Sequence, residues 1–493
     1  MELGKNFIGG HWVEAASGET FASVNPANGE VVGMAPRSAA EDVDRAVDAA
    51  RMAFPAWRRT PAPARGEIVL AIARAIEKEK ESLARLMTRE MGKVLAEARG
   101  DVQEAIDVAH YFAGEGRRLF GYTTPSELPG KACLTMRDPV GVVAAITAWN
   151  FPVAVPSWKM MPALVAGNTV VFKPASEAAI VAAALVRVMA EAGLPPGVVN
   201  LVLGPGDPVG ETLATHPGVN AVSFTGSTPT GVRLAARAAL ANKRISLEMG
   251  GKNAVIVMDD ADLDLAVDGI IWSAYGTTGQ RCTSCSRVIV HRAVEAALID
   301  RLVKRIRLLK LGNGLDPSVD VGPVINLRQL EKIDEYVRVG KSEGAKLLIG
   351  GERALDGELA QGTFYKPTLF AGVLPNMRIA REEIFGPVLS VISVASLDEA
   401  ITVNNDTDYG LSSSIYTGNV NNAFFAMREI TTGIVYVNAG TIGAEVHLPF
   451  GGTRGTGNGH REVGTAALDF CTEWKSAYID FSGKLQRAQI DNR

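Results

Sequence analysis

The chain has 493 residues, of which 47% are apolar and 21% charged. At roughly 150 residues per domain, this allows about three domains or two large ones, and the composition excludes a peptide hormone or a chain disordered along its length. Fifty Lys and Arg against 54 Asp and Glu give a net charge of −4, which argues against nucleic acid as a partner. The start, MELGKNFIGGHW, lacks a secretory signal, and prolines interrupt the most apolar segment. We therefore expect a cytoplasmic protein with no membrane anchor.

Hydrophobic periodicity predicts helices first and then a regular alternation of strands and helices. Amphipathic helices are predicted over residues 67–90 and 97–113. Strands follow at 142–148, 169–172, 199–203, 219–224, 245–248 and 255–258, with helices at 178–192 and 228–241. The alternation restarts beyond Gly279, with strands at 287–291, near Leu347 and at 388–394, and a helix at 294–309. This pattern predicts an α/β fold with two doubly wound parallel-sheet lobes. A last strand at 475–481, far from any partner in sequence, is a candidate for crossing to another subunit.

Two glycine-containing turns follow neighbouring predicted strands. The first holds Gly204, Gly206 and Gly210 in the spacing G-x-G-x-x-x-G, one residue longer than the usual dinucleotide fingerprint. The second is the run Thr225-Gly226-Ser227. Free backbone N–H groups at such strand-to-helix turns can bind phosphate, although a single match is a simple turn in roughly half of cases. Two adjacent turns favour a nucleotide site.

Cys282 and Cys285 form a C-x-x-C pair that admits several interpretations. A zinc site needs about four ligands, and the six histidines are scattered, so no metal site is predicted. Four cysteines are too few for a disulfide framework, so reduced thiols are expected. A buried, inert thiol is the common fate of a free cysteine. The small polar run before Cys282 and the adjacent Arg281 guanidinium, which can favour the thiolate, favour a nucleophile, and both interpretations of this cysteine stay open at this point.

Glu248 and Asn150 are the other candidates for chemistry. Glu248 lies where a strand passes into Gly250-Gly251, and it is either an ion-pair partner or, if desolvated, a base that accepts a proton from water. Asn150 lies between Trp149 and Phe151, where it is either a turn former or an amide that stabilises an oxyanion.

These residues together resemble the aldehyde dehydrogenase superfamily, and the likeness covers nearly the whole chain. The matching segments are Trp149-Asn150-Phe151-Pro152, Phe172-Lys173-Pro174, Phe224-Thr225-Gly226-Ser227, Leu247-Glu248-Met249-Gly250-Gly251-Lys252, Gly279-Gln280-Arg281-Cys282, Glu382-Glu383-Ile384-Phe385-Gly386-Pro387 and Pro449-Phe450-Gly451-Gly452. The resemblance implies the fold of that family: two doubly wound parallel-sheet lobes plus a small β-arm for oligomerisation. It implies an NAD(P)-binding domain at 1–118 and 140–249, a catalytic domain at 250–438 and an arm at 119–139 and 470–493. A homo-oligomer, dimer or tetramer, is expected.

The resemblance also implies a reaction, the NAD(P)-dependent oxidation of a small-molecule aldehyde to a carboxylic acid. Cys282 would attack the aldehyde, Asn150 would hold the oxyanion and Glu248 would activate water. The residues expected to bind the cofactor are Trp149, Lys173, Ser176, Gly206, Gly210, Thr225, Gly226, Ser227, Glu383 and Phe385. NAD is the expected cofactor. NADP is possible as well, because Ser176 stands where NAD-preferring members often carry a glutamate that repels the 2′-phosphate.

For the substrate, the likeness extends to the antiquitin branch, the α-aminoadipic semialdehyde dehydrogenases. It implies that Glu104 and Arg281 recognise the amino-acid end of the substrate, with Gly443, Ala444 and Phe450 completing the pocket. Taken by itself, Glu104 falls about 200° around its helix from Val102, which favours a solvated surface acid. Isoleucine replaces the usual serine before Gly443, so another semialdehyde or a broader range of aldehydes remains open. A CoA-acylating enzyme and a non-catalytic structural protein are the remaining alternatives.

Overall fold

A computed structural model describes residues 2–491 of the chain and contains 22 strands and 15 α-helices in that range. The strands are β1 (Glu2–Leu3), β2 (Asn6–Ile8), β3 (His11–Val13), β4 (Thr20–Val24), β5 (Val31–Pro36), β6 (Thr123–Pro125), β7 (Lys131–Pro139), β8 (Val142–Ile146), β9 (Thr169–Lys173), β10 (Val199–Leu201), β11 (Ala221–Thr225), β12 (Arg244–Glu248), β13 (Asn253–Val257), β14 (Cys285–His291), β15 (Lys346–Ile349), β16 (Thr368–Ala371), β17 (Val388–Val394), β18 (Tyr409–Gly410), β19 (Ser412–Tyr416), β20 (Ile434–Val437), β21 (Thr453–Arg454) and β22 (Thr472–Asp480). The α-helices are α1 (Ala40–Arg59), α2 (Ala62–Lys78), α3 (Lys80–Met91), α4 (Leu95–Glu115), α5 (Ala154–Ala166), α6 (Ala179–Glu191), α7 (Glu211–Thr215), α8 (Thr228–Leu240), α9 (Leu263–Tyr275), α10 (Glu295–Ile306), α11 (Leu327–Ser342), α12 (Arg378–Arg381), α13 (Leu397–Asn405), α14 (Val420–Glu429) and α15 (Ala467–Cys471).

The first lobe is built on a seven-stranded sheet in the order β12-β11-β8-β9-β10-β2-β3. Strands β8 to β12 are parallel, and β2 and β3 join one edge antiparallel. Alternate residues of β8 enter two different cores: Val143 and Ala145 pack with α2 to α6, whereas Val142 and Ala144 pack with α1 and α7. Because helices cover both faces of the sheet, the central strands are apolar throughout and do not alternate between apolar and polar residues.

The second lobe repeats this arrangement in the order β15-β16-β17-β14-β13-β19-β20. All of its neighbouring strands are parallel except β15, which is antiparallel to β16. One face of the sheet packs on α11, α13 and α14 and the other on α9 and α10. The two predicted parallel-sheet lobes are therefore confirmed.

A separate antiparallel ribbon in the order β22-β7-β6 forms an arm beside the first lobe. Strand β22 pairs with β7 along its whole length, from Thr472 opposite Pro139 to Asp480 opposite Lys131. The predicted strand at 475–481 therefore pairs within its own chain. The domain boundaries proposed from the sequence stay predictions, and their residues 1, 492 and 493 lie outside the described range.

The structure corrects one predicted helix and adds a buried one. The helix predicted over 67–90 is two helices, α2 and α3, which meet at Glu79, where φ is −94° and ψ is 8°. Helix α5 was not predicted, because it is buried along its whole length and contains Pro162, so it shows no amphipathic period. Within residues 2–491, no helix is long and apolar enough to cross a lipid bilayer.

Candidate active site

A cavity of about 600 Å³ opens beside the carboxyl ends of the parallel strands of the first lobe. Ligands of open α/β sheets bind at this edge, because the loops that follow the strands converge there. Every residue predicted for the site lines this one cavity, namely Glu104, Trp149, Asn150, Lys173, Ser176, Gly206, Gly210, Thr225, Gly226, Ser227, Glu248, Arg281, Cys282, Glu383, Phe385, Gly443, Ala444 and Phe450. Residues up to 346 positions apart in sequence thus meet in one site.

Cys282 lies in a rigid loop, residues 276–284, between α9 and β14, here called the Cys282 loop. The side chain of Asn253 donates to the carbonyl oxygens of Cys282 at 2.7 Å and of Ser284 at 2.9 Å. The buried side chain of Gln280 accepts the Ile325 N–H at 2.9 Å. These buried hydrogen bonds fix the backbone on both sides of the thiol, as a nucleophile requires.

The electrostatic surroundings of the thiol are acidic. The pKa of Cys282 is raised to about 12. Burial is the largest cause, the carboxyl groups of Glu248 and Glu383 add to it, and the backbone N–H groups of Thr283 and Cys282 oppose it. Arg281 turns away: its Nη2 donates to Glu97 at 2.9 Å and its Nε to Thr277 Oγ1 at 3.0 Å. The expectation that Arg281 favours the thiolate is therefore wrong.

Asn150 follows β8 in the turn that leads to α5. Its side chain is 5% exposed, and its Nδ2 donates to the carbonyl oxygen of Gln280 at 3.1 Å. The amide therefore faces the Cys282 loop. An N–H donor at this place suits an oxyanion formed at the cysteine.

Glu248 ends β12 and lines the cavity, with both carboxylate oxygens buried. Neither carboxylate oxygen has a hydrogen-bond partner among residues 2–491, so the ion-pair interpretation fails. Burial raises the pKa of Glu248 well above its usual value, and the nearby carboxyl group of Glu462 contributes to this rise. The positive charges of Lys159 and Arg461 oppose the rise. Lys159 in turn binds Ser223 Oγ at 3.0 Å and pairs with Glu462. A desolvated carboxyl group of this kind accepts a proton more readily than an exposed one.

The other end of the cavity carries the residues expected to bind the cofactor. Burial lowers the pKa of Lys173 to about 8, with Glu177 opposing, and its Nζ donates to Pro174 O at 2.8 Å. Glu383 accepts the Gly251 N–H at 2.9 Å. A Cβ at Gly250 would lie 2.3 Å from Glu383 Oε2, so only glycine leaves room for this carboxylate.

The two glycine turns have different local structures. Gly206 and Gly210 bound a π-turn that continues into α7, a helix of only five residues. The run Thr225-Gly226-Ser227 leads into α8, of 13 residues, and a Cβ at Gly226 would lie 2.5 Å from the ring of Phe224. The second turn therefore precedes the longer helix, and both turns border the cavity.

Ser176 lies at the cavity wall, and its Oγ donates to the carbonyl oxygen of Gly204 at 3.2 Å. The adjacent Glu177 carboxylate accepts from Asn326 Nδ2 at 3.2 Å. The aromatic rings of Trp149 and Phe385 meet edge to face, with centroids 5.5 Å apart.

Glu104 lines the cavity, so its interpretation as a solvated surface acid is wrong. The pKa of Glu104 is raised to about 8. Burial is the largest cause, Asp101 adds to it, and the positive charges of Arg281 and Lys93 oppose it. Trp158 lies beside Glu104 and packs on Phe450 at a centroid distance of 4.7 Å. The apolar face of α4 packs on other helices, and Glu104, on another side of this helix, lines the cavity.

The sequence analysis did not predict a set of residues that lie outside the cavity lining and hold it in place through hydrogen bonds. They are Lys93, Glu97, Asp101, Lys159, Asn253, Gln280 and Glu462. In α4 a signal was present, since Glu97, Asp101 and Glu104 are spaced by four and three residues and share one helix face. Across the described part of the chain, no group of three or more His, Cys, Asp or Glu side chains is arranged to hold a metal ion.

The sequence profile of the aldehyde dehydrogenase family matches residues 12–477. The chain belongs to the aldehyde dehydrogenase family. It is 45% identical over 476 residues to the α-ketoglutaric semialdehyde dehydrogenase of Bacillus subtilis strain 168, covering 96% of this chain and 97% of that relative. It is 44% identical to the α-ketoglutarate semialdehyde dehydrogenase of Haloferax volcanii (97% and 99% covered) and 40% identical to the 2,5-dioxopentanoate dehydrogenase of Saccharolobus solfataricus (95% and 97%).

Solved structures agree with this assignment. A betaine aldehyde dehydrogenase from Staphylococcus aureus in complex with NAD+ superposes with a TM-score of 0.95 at 36% identity, covering 98% of each chain. An NAD-dependent aldehyde dehydrogenase from Sinorhizobium meliloti superposes with a TM-score of 0.95 at 40% identity, covering 99% of this chain and 96% of that one. The protein is an NAD-dependent aldehyde dehydrogenase. The relatives named above act on α-ketoglutaric semialdehyde, so the finer likeness to the antiquitin branch is not confirmed.

The residues of the cavity fit NAD. A half-buried carboxylate, Glu383, and a buried ammonium group, Lys173, are hydrogen-bonding partners suited to ribose hydroxyl groups. The glycine at 250 leaves the space that the Glu383 carboxylate needs.

Proposed function

We propose that the enzyme oxidises 2,5-dioxopentanoate, the five-carbon semialdehyde also called α-ketoglutaric semialdehyde, to 2-oxoglutarate. This substrate carries an aldehyde at one end and a 2-oxo carboxylate at the other. Relatives 40–45% identical over nearly the whole chain are named for it. The structural observation that carries the proposal is the presence of Arg281 and Glu104 in the same cavity as Cys282.

In the proposed mechanism, Cys282 Sγ forms a bond to the aldehyde carbon and its proton is released to solvent. The oxyanion accepts hydrogen bonds from Asn150 Nδ2 and the backbone N–H of Cys282. NAD+, when bound, supplies the acceptor for the hydride that leaves the same carbon. Glu248 then removes a proton from the water that attacks the thioester, and cleavage of the C–S bond releases the acid and regenerates the thiol. Lys173, Glu383, Trp149 and Phe385 are the residues that would hold the cofactor.

Arg281 and Glu104 supply the groups that a 2-oxo carboxylate needs. The Nε and Nη2 of Arg281 are engaged by Thr277 and Glu97, and its Nη1 makes no hydrogen bond within residues 2–491. This nitrogen is free to bind the substrate carboxylate. Because the pKa of Glu104 is raised to about 8, its carboxyl group is largely neutral at pH 7 and can donate to the 2-oxo oxygen.

A second candidate substrate is α-aminoadipic semialdehyde, favoured by the same pair of side chains. A substrate ammonium group beside Glu104 would lower the pKa of this carboxyl group and form an ion pair with it. The two candidates therefore require Glu104 in opposite protonation states.

The experiment that separates them is a comparison of kcat/KM with NAD for 2,5-dioxopentanoate, α-aminoadipic semialdehyde, succinic semialdehyde and hexanal, in the wild type and in Glu104→Gln. The amide of glutamine donates as a neutral carboxyl group does, but it carries no charge. For a 2-oxo substrate we expect the variant to keep kcat/KM within about threefold, whereas ion pairing to an amine would cost about 10- to 100-fold. A wild type that prefers hexanal or α-aminoadipic semialdehyde would refute the proposal.

Water, rather than CoA, is the proposed acyl acceptor. The buried carboxyl group of Glu248 is a hydrolytic base, which transfer to a thiol does not need.

We also propose that the enzyme acts in the cytoplasm as a homo-oligomer. NADP use remains part of the proposal, because the short side chain of Ser176 at the cavity wall leaves space for a 2′-phosphate.

A further inference from the structure

The Cys282 loop begins with three consecutive residues in the left-handed region of backbone conformation. The φ angle is 50° at Thr277, 58° at Thr278 and 67° at Gly279. Glycine adopts this region freely, but a β-branched residue there is strained. Two such threonines in succession persist only where the surrounding structure holds them. The loop therefore depends on an external support.

Glu97, in the first turn of α4, supplies that support from 180 residues away in sequence. Both of its carboxylate oxygens accept the backbone N–H of Thr277 at 2.9 Å, and Oε2 accepts the Thr277 hydroxyl at 3.1 Å. Oε1 also accepts Arg281 Nη2 at 2.9 Å. One side chain thus binds the first strained residue of the loop and the residue immediately before Cys282.

The chain leaves room for this carboxylate. A Cβ at Gly276 would lie 2.8 Å from Glu97 Oε1, too close for any side chain there without moving Glu97. Glu97 and Arg281 side chains are 14% and 12% exposed, so water competes little for these hydrogen bonds. Glu97 itself stands outside the lining of the cavity described above. It can act on the reaction only through the loop.

We propose that Glu97 is a positioning residue that holds the strained Thr277 turn and Arg281 against α4, and thereby fixes Cys282 for attack on the aldehyde. The proposal rests on Cys282 as the nucleophile, the role assigned to it under Proposed function. Without the carboxylate, Thr277 loses its backbone acceptor and relaxes toward an unstrained conformation. The sulfur and the backbone N–H of Cys282 are then displaced relative to the oxyanion donor Asn150.

The competing explanation is that Glu97 is an ordinary acid in the first turn of a helix. Carboxylates at this position are favoured by the helix dipole. Such a role would contribute to the stability of α4, but it would leave the reactivity of a correctly folded Cys282 unchanged. The two explanations therefore predict different reaction rates for a Glu97 variant that is correctly folded.

The experiment compares the full-length variants Glu97→Ala, Glu97→Gln, Thr277→Gly and Glu97→Ala/Thr277→Gly with the wild type. The matched control is Asp107→Ala, which removes an exposed acid of the same helix whose partner is Gln103. Four quantities are measured: kcat and KM for aldehyde oxidation, the rate of p-nitrophenyl acetate hydrolysis without NAD, the NAD dissociation constant and the thermal midpoint. The ester probes attack by the thiol without the cofactor, and Cys282→Ala gives its background. If Cys282→Ala keeps full activity, the nucleophile assignment fails, independently of Glu97.

We expect Glu97→Ala to lose about 10- to 100-fold in kcat for aldehyde oxidation and in ester hydrolysis, because a displacement of about 1 Å can cost that much. KM for hexanal, an aldehyde with no carboxylate for Arg281 to bind, should stay within about twofold of wild type, as should NAD affinity and every quantity measured for the Asp107→Ala control. Glu97→Gln should lose less, since its amide oxygen still accepts the Thr277 N–H. Thr277→Gly relieves the strain and should restore at least part of the activity in the Glu97→Ala background. Wild-type rates in Glu97→Ala would overturn the proposal, and so would a loss that Thr277→Gly does not reduce at all.

Discussion

The Cys282 thiol is surrounded by groups that oppose its ionisation. Burial and the nearby carboxyl groups of Glu248 and Glu383 raise the pKa of the thiol to about 12. At pH 7 the side chain is therefore almost entirely protonated. The adjacent Arg281 does not offset this, because its guanidinium is bound to Glu97. The less reactive thiol, rather than the thiolate, is therefore the dominant form of this side chain.

This electrostatic state predicts a steep pH dependence for alkylation of Cys282 by iodoacetamide in the absence of NAD. Because the thiolate is the reacting species and its pKa lies far above the range tested, the rate should rise about tenfold per pH unit from pH 7 to pH 9. Mass spectrometry of the peptide that contains Cys282 separates this reaction from that of Cys133, which is half-buried in the arm. A rate that levels off below pH 9 would contradict the prediction.

Ser176 should determine how well NADP competes with NAD. A carboxylate at this cavity wall would repel a 2′-phosphate and accept from a 2′-hydroxyl. We expect Ser176→Glu to lower kcat/KM for NADP at least about tenfold while that for NAD changes by less than about threefold. Ser176→Gln is the control of equal size without charge. Equal losses in the two variants, or a wild type that cannot use NADP, would refute the prediction.

At the scale of elements, α4 supports the site through one acidic face. Glu97 binds the Cys282 loop, Asp101 accepts the Ala154 N–H at the start of α5 at 2.7 Å, and Glu104 lines the cavity. Asp101 also pairs with Lys93 at 2.8 Å, and both side chains are 0% exposed. One helix thus connects the loop of the nucleophile to the helix that follows the oxyanion donor.

The buried pair of Lys93 and Asp101 predicts a large loss of stability when only one partner is removed. Asp101→Ala leaves the Lys93 ammonium group without its counter-charge, which costs about 3–5 kcal/mol. We expect a clearly lower thermal midpoint and a lower yield of folded protein. The double variant Lys93→Met/Asp101→Leu removes both charges and should recover at least half of the drop in the midpoint. If the double variant is as unstable as Asp101→Ala, the loss has a different origin.

The sequence predicted elements best where an apolar strand stands between clear breaks. Strand β17 is predicted residue for residue at 388–394, because both of its ends are marked. Helix α5 could not be predicted in this way, since its buried surroundings remove the amphipathic pattern. The orientation of Glu104 could not be predicted from its helix alone, because a polar face turned to a water-accessible cavity has the same pattern as one turned to solvent. All the predicted site residues meet in one cavity, yet their support by Glu97 and Asp101 depends on contacts that only the folded chain reveals.

At the scale of the whole molecule, the arm exposes more apolar surface than an isolated chain should. Tyr478 and Ile479 are 68% and 53% exposed, and they point to opposite faces of β22 because successive residues of a strand alternate. Phe120, Tyr122 and Phe481 at the same ribbon are also exposed. An apolar ribbon exposed on both faces is characteristic of a protein interface. This supports the proposed homo-oligomer.

Charges on both faces of β22 should therefore dissociate the oligomer. In Tyr478→Asp/Ile479→Asp, association would bury two unpaired carboxylates in an apolar contact, at a cost of several kcal/mol. Light scattering coupled to size-exclusion chromatography should show the wild type as an oligomer and the variant as a smaller species. Met52→Asp, which places a charge at an exposed site on α1, should leave the mass unchanged. A variant with the mass of the wild type, or a monomeric wild type, would show that this ribbon does not hold subunits together. If the variant dissociates but retains kcat, each chain carries a complete active site, as the lining of the cavity by residues of one chain indicates.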